Sequence, residues 1–505
     1  MEYKIKAEKV YMGIPIQAEC PEEKLEIFLG NKKLYEFLVP VCADAEHVKY
    51  DYISYLRIDQ YEGRELTLKG DFDASFFENI CQSDSGDREK LTRPMIHFTA
   101  DRGWINDPNG LVYHNGMYHL YFQYNPMNTQ WQNMSWGHAA SSDLLHFKQL
   151  DTVMYPDESG AVYSGCGIVN EKGMLGLPED ALLFYYSAAG GINPWSEGTA
   201  FTQKIAYSTD EGTTLTKIPD PTIGVIRQDS RDPKVFWHEE SSAYIMVLWI
   251  QGNEFGFFRS ENLKDWKKTD SIILPEAWEC PDLYRLDCEG EKVWVFTSAD
   301  GFYYIGEFDG YTFSTDGVQK KAYRTKLPYA AQSYSGVQDR VIAVPWLRTL
   351  NKGRLYTGMM GIPRELKLVK RGDEKILSML PVREYEETKE KITEFNWNDG
   401  EFSVEIREDA VAEVELYPQA EGTFTVSIYG QELTIGGREI RYGSETTTLE
   451  EPLKEIHIIV DREVIEIHGN HGTENAYYET CSDQLHGKIS MKGCAGMGRI
   501  YIWQP

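Results

Sequence analysis

Five runs of aromatic and aliphatic residues recur along the middle of this chain, and their period of roughly fifty to sixty-five residues constrains the fold more than any other feature. They lie at residues 118–122, 182–186, 244–249, 293–296 and 341–346. Each run is short, rich in β-branched and aromatic side chains, and bounded by Gly, Asn, Asp or Ser, the pattern of a buried strand. Three are followed by a similar closing phrase, at residues 142–147, 208–212 and 260–266. A β unit repeated in this way predicts the blades of a propeller, five of them around one axis.

Long stretches of helical period are nearly absent, so the fold class is all-β. A chain of 505 residues needs more than one core. We therefore expect a small N-terminal β domain (1–91), a five-bladed propeller carrying the chemistry (92–375) and a C-terminal β-sandwich (376–505). The polar residues 82–90 read as a linker. Polar stretches at 371–375 and 384–391 precede the strand-like segments 423–428 and 456–460, which suit a sandwich.

The formal net charge of −28 makes a surface that repels nucleic-acid phosphate and anionic membranes, whereas a neutral substrate is indifferent to it. No uninterrupted apolar run reaches membrane-spanning length, and the first residues are charged and lead to no apolar core. The expectation is a soluble, cytoplasmic protein with no nucleic-acid or membrane partner. Eight cysteines are thinly spread with no C-x-x-C pair, which predicts reduced, packed thiols. His468 and His471 are close in sequence, but no third ligand accompanies them, so neither a metal nor another cofactor is expected.

The opening of the first unit is Trp104-Ile105-Asn106-Asp107-Pro108-Asn109-Gly110. Alone, Asp-Pro-Asn-Gly is ordinary turn chemistry. Its grammar recurs, however. Arg231-Asp232-Pro233 leads the third unit and Glu279-Cys280-Pro281 the fourth, each followed by a short strand, a turn and a buried run. The second and fifth units carry neutral polar groups there, Tyr163-Ser164-Gly165 and Ala331-Gln332-Ser333. In a propeller the first strand of every blade lines the axis, so these strand starts converge at one mouth of the central channel. Three carboxylates gathered there raise one another's pKa, which is a poor structural device and suggests a chemical task.

Glycosidic cleavage needs one carboxylate to attack or stabilise the sugar cation and another to donate a proton to the leaving oxygen. Asp107, in a polar setting beside Asn106, suits the ionised nucleophile. Glu279, between Trp278 and Cys280, suits the general acid, because desolvation would raise its pKa. Asp232, beside Arg231, should stay anionic and hold hydroxyls and developing positive charge. Sugars present apolar C–H faces to aromatic rings, and Trp104, Trp131, Tyr163 and Trp346 fall on candidate channel-facing segments.

These three blocks resemble the signatures of glycoside hydrolase family 32, the β-fructofuranosidases. The likeness extends to residues 121–126, 136–139, 163–165, 329–332 and 362–366, and covers roughly residues 92 to 505. It implies a propeller joined to a β-sandwich and a retaining double displacement through a covalent fructosyl-enzyme, with no metal. By matching position, Asp107 becomes the nucleophile, Asp232 the transition-state stabiliser and Glu279 the acid/base. Asn106, Gln123, Trp131, Ser164, Arg231 and Trp346 match positions that hold the terminal fructose. Tyr163 and Tyr329 complete the candidate substrate-binding set.

Tyr163 and Cys166 depart from the family pattern, as does the stretch before Tyr329, which bears on leaving-group selectivity and not on the chemistry. The N-terminal segment resembles an extra β domain of some gut-bacterial members; packing, homo-oligomer formation and glycan contact are its candidate roles. The implied activity is exo-hydrolysis of terminal non-reducing β-D-fructofuranosyl residues from sucrose or short inulin- or levan-type oligosaccharides. The alternatives are a fructosyltransferase, an inverting arabinan or xylan hydrolase on the same propeller, and a catalytically silent fructan-binding protein.

Overall fold

The computed structural model describes residues 1–42, 50–86, 92–397, 402–419, 422–480 and 486–504. Five antiparallel sheets follow one another from Gly103 to Pro381, and the five aromatic runs form the second strand of each: Met117–Asn125, Leu182–Ala189, Ala243–Gln251, Glu291–Thr297 and Val341–Leu347. These strands are buried on both faces because the sheets pack face to face, so they read as continuous apolar runs and not as alternation. The first three sheets end in Lys148–Gln149, Thr216–Lys217 and Lys267–Ile273. The first two of these outer strands are only two residues long, which leaves little edge open to foreign pairing.

The innermost strands start the sheets: Gly103–His114, Ala161–Val169, Arg231–His238, Asp282–Cys288 and Pro328–Ser333. Side chains of the fifth stitch it to the first and second. Gln332 accepts from the Leu111 amide (3.3 Å) and donates to the Gly165 carbonyl (3.0 Å), and Ser335 donates to the Gly167 carbonyl (2.6 Å). Beyond the fifth sheet's second strand, Tyr356–Thr357 pairs in parallel with Gly103 and Trp104, tying the last sheet's chain to the first sheet.

The N-terminal part has two sheets, one ordered Glu2–Lys6, Glu65–Lys69, Glu22–Leu29, Lys32–Pro40, and one of Tyr52–Arg57, Tyr11–Ile16, Cys81–Ser83. The linker expected at 82–90 thus begins as a strand, since Cys81–Ser83 pairs with Tyr11–Gly13; residues 87–90, and the expected boundary at 91, lie outside the described residues. The boundary expected after residue 375 is also corrected. Glu374–Pro381 pairs along its whole length with Arg364–Arg371 in the fifth sheet, because charged residues at 371–375 form only the hairpin turn. The short helix Arg383–Thr388 then leads into two six-stranded sheets that enclose one apolar core.

That C-terminal sandwich packs on the first and fifth sheets, with Val411, Ile459 and Trp503 in a core shared with Ile105, Leu120 and Ile342. A buried polar chain crosses the same junction. Asp461 accepts from the amides of Met95, Ile96 and His97 and from the His97 ring; His97 also meets Glu466, which pairs with Arg364. Buried charges persist only when partnered in this way.

The cysteine expectation fails at one pair. Cys20 and Cys42 form a disulfide, with Cα atoms 5.2 Å apart. They are distant in sequence, but each lies just outside the ladder that pairs Glu22 with Pro40, so the hairpin brings them together. Such bonds persist in oxidising surroundings, so cysteine usage no longer points to a reducing compartment. His468 likewise does not join His471: it groups with Glu413 and His457, the candidate ligand atoms lying within 4.8 Å of one another. Glu413 is already engaged there by Lys389 (2.9 Å) and His457 (2.7 Å).

Candidate active site

The residues expected to be turns are strands with bulges. Residues 103–114 form one continuous strand, and its register with the neighbouring strand slips between Ile105 and Pro108. The same slip occurs between Val162 and Gly165, Arg231 and Lys234, and Tyr329 and Gln332. Bulges and turns use the same residues, which is why composition could not separate them. The bulge is what re-aims a side chain. In four of the five innermost strands it falls at the same end, at Asp107, Ser164, Asp232 and Ala330. In the remaining strand, Glu279 and Cys280 just precede the ladder.

Backbone strain marks the same places. Asp232, Glu279, Cys280 and Ala330 have φ of 64°, 47°, 39° and 49°, a region that costs a non-glycine residue roughly 1–3 kcal/mol. Gly165 is required for a different reason: a Cβ there would lie 1.9 Å from the Tyr185 carbonyl oxygen of the adjacent strand.

These devices bring Asp107 and Asp232 to one pit, whose lining also includes Ser164, Cys280 and Gln332, and Glu279 directly precedes Cys280. The Ser164 hydroxyl donates to Oδ2 of Asp107 (2.6 Å), and the Asn106 amide donates to Oδ1 (3.2 Å). Asp232 Oδ2 accepts the Cys280 backbone N–H (3.1 Å). The Cys280 thiol bridges the two aspartates, 3.5 Å from Asp107 Oδ2 and 3.6 Å from Asp232 Oδ2. Arg231 pairs with Glu279, sits 3.8 Å from Asp232 and lies 4.1 Å over the Trp249 ring. Tyr329 donates to Oε2 of Glu279 at 3.0 Å.

The acids sit in different electrostatic settings. Burial pushes Asp232 up to about 7, opposed by Arg231 and reinforced by the charges of Glu279 and Asp107. The acid expected to stay anionic is therefore shifted upward, because its side chain is only 6 % exposed and the cost of burying its charge exceeds what Arg231 returns. Burial also raises Asp107; the Ser164 and Asn106 hydrogen bonds pull the other way, which favours its carboxylate form. The Trp278 ring is 42 % exposed and packs on Trp249 (5.1 Å). Burial and the Glu279 charge hold the Tyr329 phenol far above its ordinary value, so it remains an O–H donor.

Aromatic rings lie beside the acids. Trp131 meets Tyr163 edge-on at 6.3 Å, and Tyr163 meets Phe201 at 5.4 Å. Trp346 meets Trp104 (6.0 Å) and Tyr329 (6.2 Å), and the Trp104 indole N–H donates to Asn106 (2.9 Å). Trp131 is 44 % exposed. Gln123 stands apart. It is buried, and its amide donates to the Val162 carbonyl at 2.9 Å, bracing the second bulge.

Sequence reading missed four contributors. Cys280 was hidden because a cysteine beside an acid has no spacing signal. Trp249, at the end of the third run, supports Arg231. Lys234 and Asp282 make a buried ion pair (3.1 Å), with both also bonded to Ser333. Their place, two and three residues after the site acids, was the signal available.

A pit lined by paired carboxylates, with aromatic rings close by and successive β-sheets around it, is the kind of site that glycoside hydrolases use. The profile described as the N-terminal domain of glycosyl hydrolases family 32 matches residues 97–381, and this chain belongs to that family. It is 34 % identical over 342 residues to a levanase of Bacillus subtilis, covering 60 % of this chain and 49 % of the other. It is 30 % identical over 439 residues to a fructan beta-fructosidase of Streptococcus mutans, covering 78 % and 30 %. An extracellular exo-inulinase of Aspergillus niger is 33 % identical over 333 residues, covering 55 % and 62 %. The chain therefore spans between about a third and three fifths of the length of these relatives. Among solved structures, an exo-inulinase from Aspergillus awamori superposes with a TM-score of 0.74 at 24 % identity, over 83 % of this chain and 99 % of the other. A family 32 glycoside hydrolase from Bifidobacterium adolescentis matches with a TM-score of 0.70 at 18 % identity, over 100 % of this chain and 99 % of the other. Both show the same fold, a β-propeller with a β-sandwich.

Proposed function

We propose that the five sheets are five blades of a closed propeller whose pit releases terminal non-reducing β-D-fructofuranosyl residues from sucrose or short fructans. The observation that carries this reading is the linkage of Asp107, Asp232 and Glu279 through Ser164, Cys280 and Arg231 beside one pit. The names of the relatives, levanase, fructan beta-fructosidase and exo-inulinase, support the substrate class.

In this reading an Asp107 oxygen attacks the anomeric carbon of the bound fructosyl unit while Glu279 gives its proton to the departing glycosidic oxygen. A covalent fructosyl-enzyme results. Water then attacks the same carbon, Glu279 takes its proton, and the Asp107 ester bond breaks with net retention. Tyr329 and Arg231 aim the Glu279 carboxyl, and Ser164 and Asn106 aim that of Asp107. Asp232, at the floor, accepts sugar hydroxyls and stabilises the developing cation. Trp131, Tyr163, Trp104 and Trp346 present flat apolar surface to the sugar's C–H faces.

The test is incubation with sucrose, kestose, inulin and levan, with Asp107→Asn as control. Release of free fructose that is lost in the control supports the reading. Growth of longer chains from concentrated sucrose would make it a transferase, and no turnover of any of the four would overturn it.

A further inference from the structure

The loop at residues 125–135 joins the second and third strands of the first sheet and carries Trp131 to Tyr163, which stands within electrostatic reach of the three acids. It is gripped from the N-terminal sheets. Lys32–Pro40 is the edge strand of its sheet, and an edge strand leaves alternate N–H and C=O groups unpaired. At Leu38 both groups are taken by one side chain: the Leu38 N–H donates to Asn133 Oδ1 (2.8 Å), and Asn133 Nδ2 donates to the Leu38 carbonyl (2.9 Å). The Asn133 amide thus stands in for a missing strand. Its φ of 50° suits Asn better than most residues.

Two more ties act on the same loop. Asn128 donates to Glu22 Oε1 at 2.7 Å, and Met127 is buried in the apolar core of the N-terminal sheets. On its other side the loop belongs to the pit. Met134 packs in a cluster with Ala161, Ala189 and Phe201, against which Trp104 and Tyr163 lie, and Trp131 meets Tyr163. The loop is therefore fixed between two bodies, and the sugar-facing ring sits midway between the ties.

We propose that the N-terminal β module is a positioning element for substrate: through Asn133 and Glu22 it sets the pose of Trp131 and hence the affinity of the pit for its sugar. The proposal rests on the hydrolase reading of the site. Asn133 and Glu22 touch no reacting atom, so their effect should fall on binding and not on the chemical step.

The test is a double-mutant cycle in the full chain, with Asn133→Gly, which keeps the backbone conformation accessible, and Glu22→Ala, each made alone and with Trp131→Ala. Each single variant should raise KM for sucrose about three- to tenfold while kcat stays within about twofold. The rise should vanish when Trp131 is already Ala. Hydrogen exchange over residues 125–133 should speed up in both variants, and this readout does not need hydrolysis. An active wild type whose KM and exchange are unmoved by either variant overturns the proposal, as does an equal KM rise in the Trp131→Ala background. Should Asn133→Gly fail to fold, Glu22→Ala decides alone. An inactive wild type with faster exchange in the variants would sink the hydrolase reading and leave the grip on the loop established.

Discussion

The Ser164 hydroxyl donates to Oδ2 of Asp107 at 2.6 Å, joining the innermost strands of the first two sheets at their bulges. Because burial raises Asp107 and this bond opposes the rise, Ser164 helps keep the nucleophile ionised. Ser164→Ala should therefore shift the acid limb of the kcat/KM profile to higher pH, by about one unit for the loss of one bond to a charged group. A limb that stays in place while kcat falls would mean that Ser164 acts on the sugar alone.

Glu279 is held by Arg231 and Tyr329 at the mouth, where a leaving oxygen would sit. Glu279→Ala should slow sucrose cleavage by about 10²–10⁴-fold and slow a donor with an activated leaving group far less. Equal losses on the two would remove its role as proton donor.

Burial makes the Asp232 carboxylate costly in the folded protein, and the Arg231 charge opposes that cost. Its folded pKa of about 7 lies above the ordinary 3.8, so the native state holds a proton that the unfolded chain releases between those values. Stability should fall as pH rises through that window and level off above it. Asp232→Asn should thus be more stable than wild type at pH 8, by at most about 4 kcal/mol, with the gain gone near pH 4. Urea unfolding at the two pH values checks this, and hydrolysis should be lost throughout. A variant less stable at both would contradict the assignment.

His97 makes the opposite case at the junction with the sandwich. Burial would discharge it, but its bonds to Asp461 and Glu466 push it up to about 9 from 6.5. A raised histidine contributes stability fully below its unfolded value, and loses it as pH climbs through the folded one. His97→Gln should cost about 3 kcal/mol at pH 6, and the gap to wild type should close by about pH 9.5. Denaturant midpoints measured across that range decide it; a gap independent of pH would show that only packing was lost.

The repeat of strand runs was legible in the sequence, because local pattern and period fix it; Asp107 and Asp232 share a place at strand bulges, whereas Glu279 precedes its ladder. The aromatic candidates Trp131, Tyr163, Tyr329 and Trp346 were legible for the same reason. The disulfide between Cys20 and Cys42 was not, since a hairpin register decides it. Nor was the end of the fifth sheet at Pro381, where a polar stretch proved to be one tight turn inside the sheet.

What the sequence determined alone is the β class, the repeated unit and the identity of the acids, all of which follow from local pattern and period. Tertiary structure decided the rest. Burial and the place of Arg231 set how far the aspartates are shifted, the bulges set where each carboxylate lies, and the edge at Leu38 determines what holds the Trp131 loop. These depend on groups far apart in the chain, and solvation and Coulomb forces act through space, so no window of residues contains them.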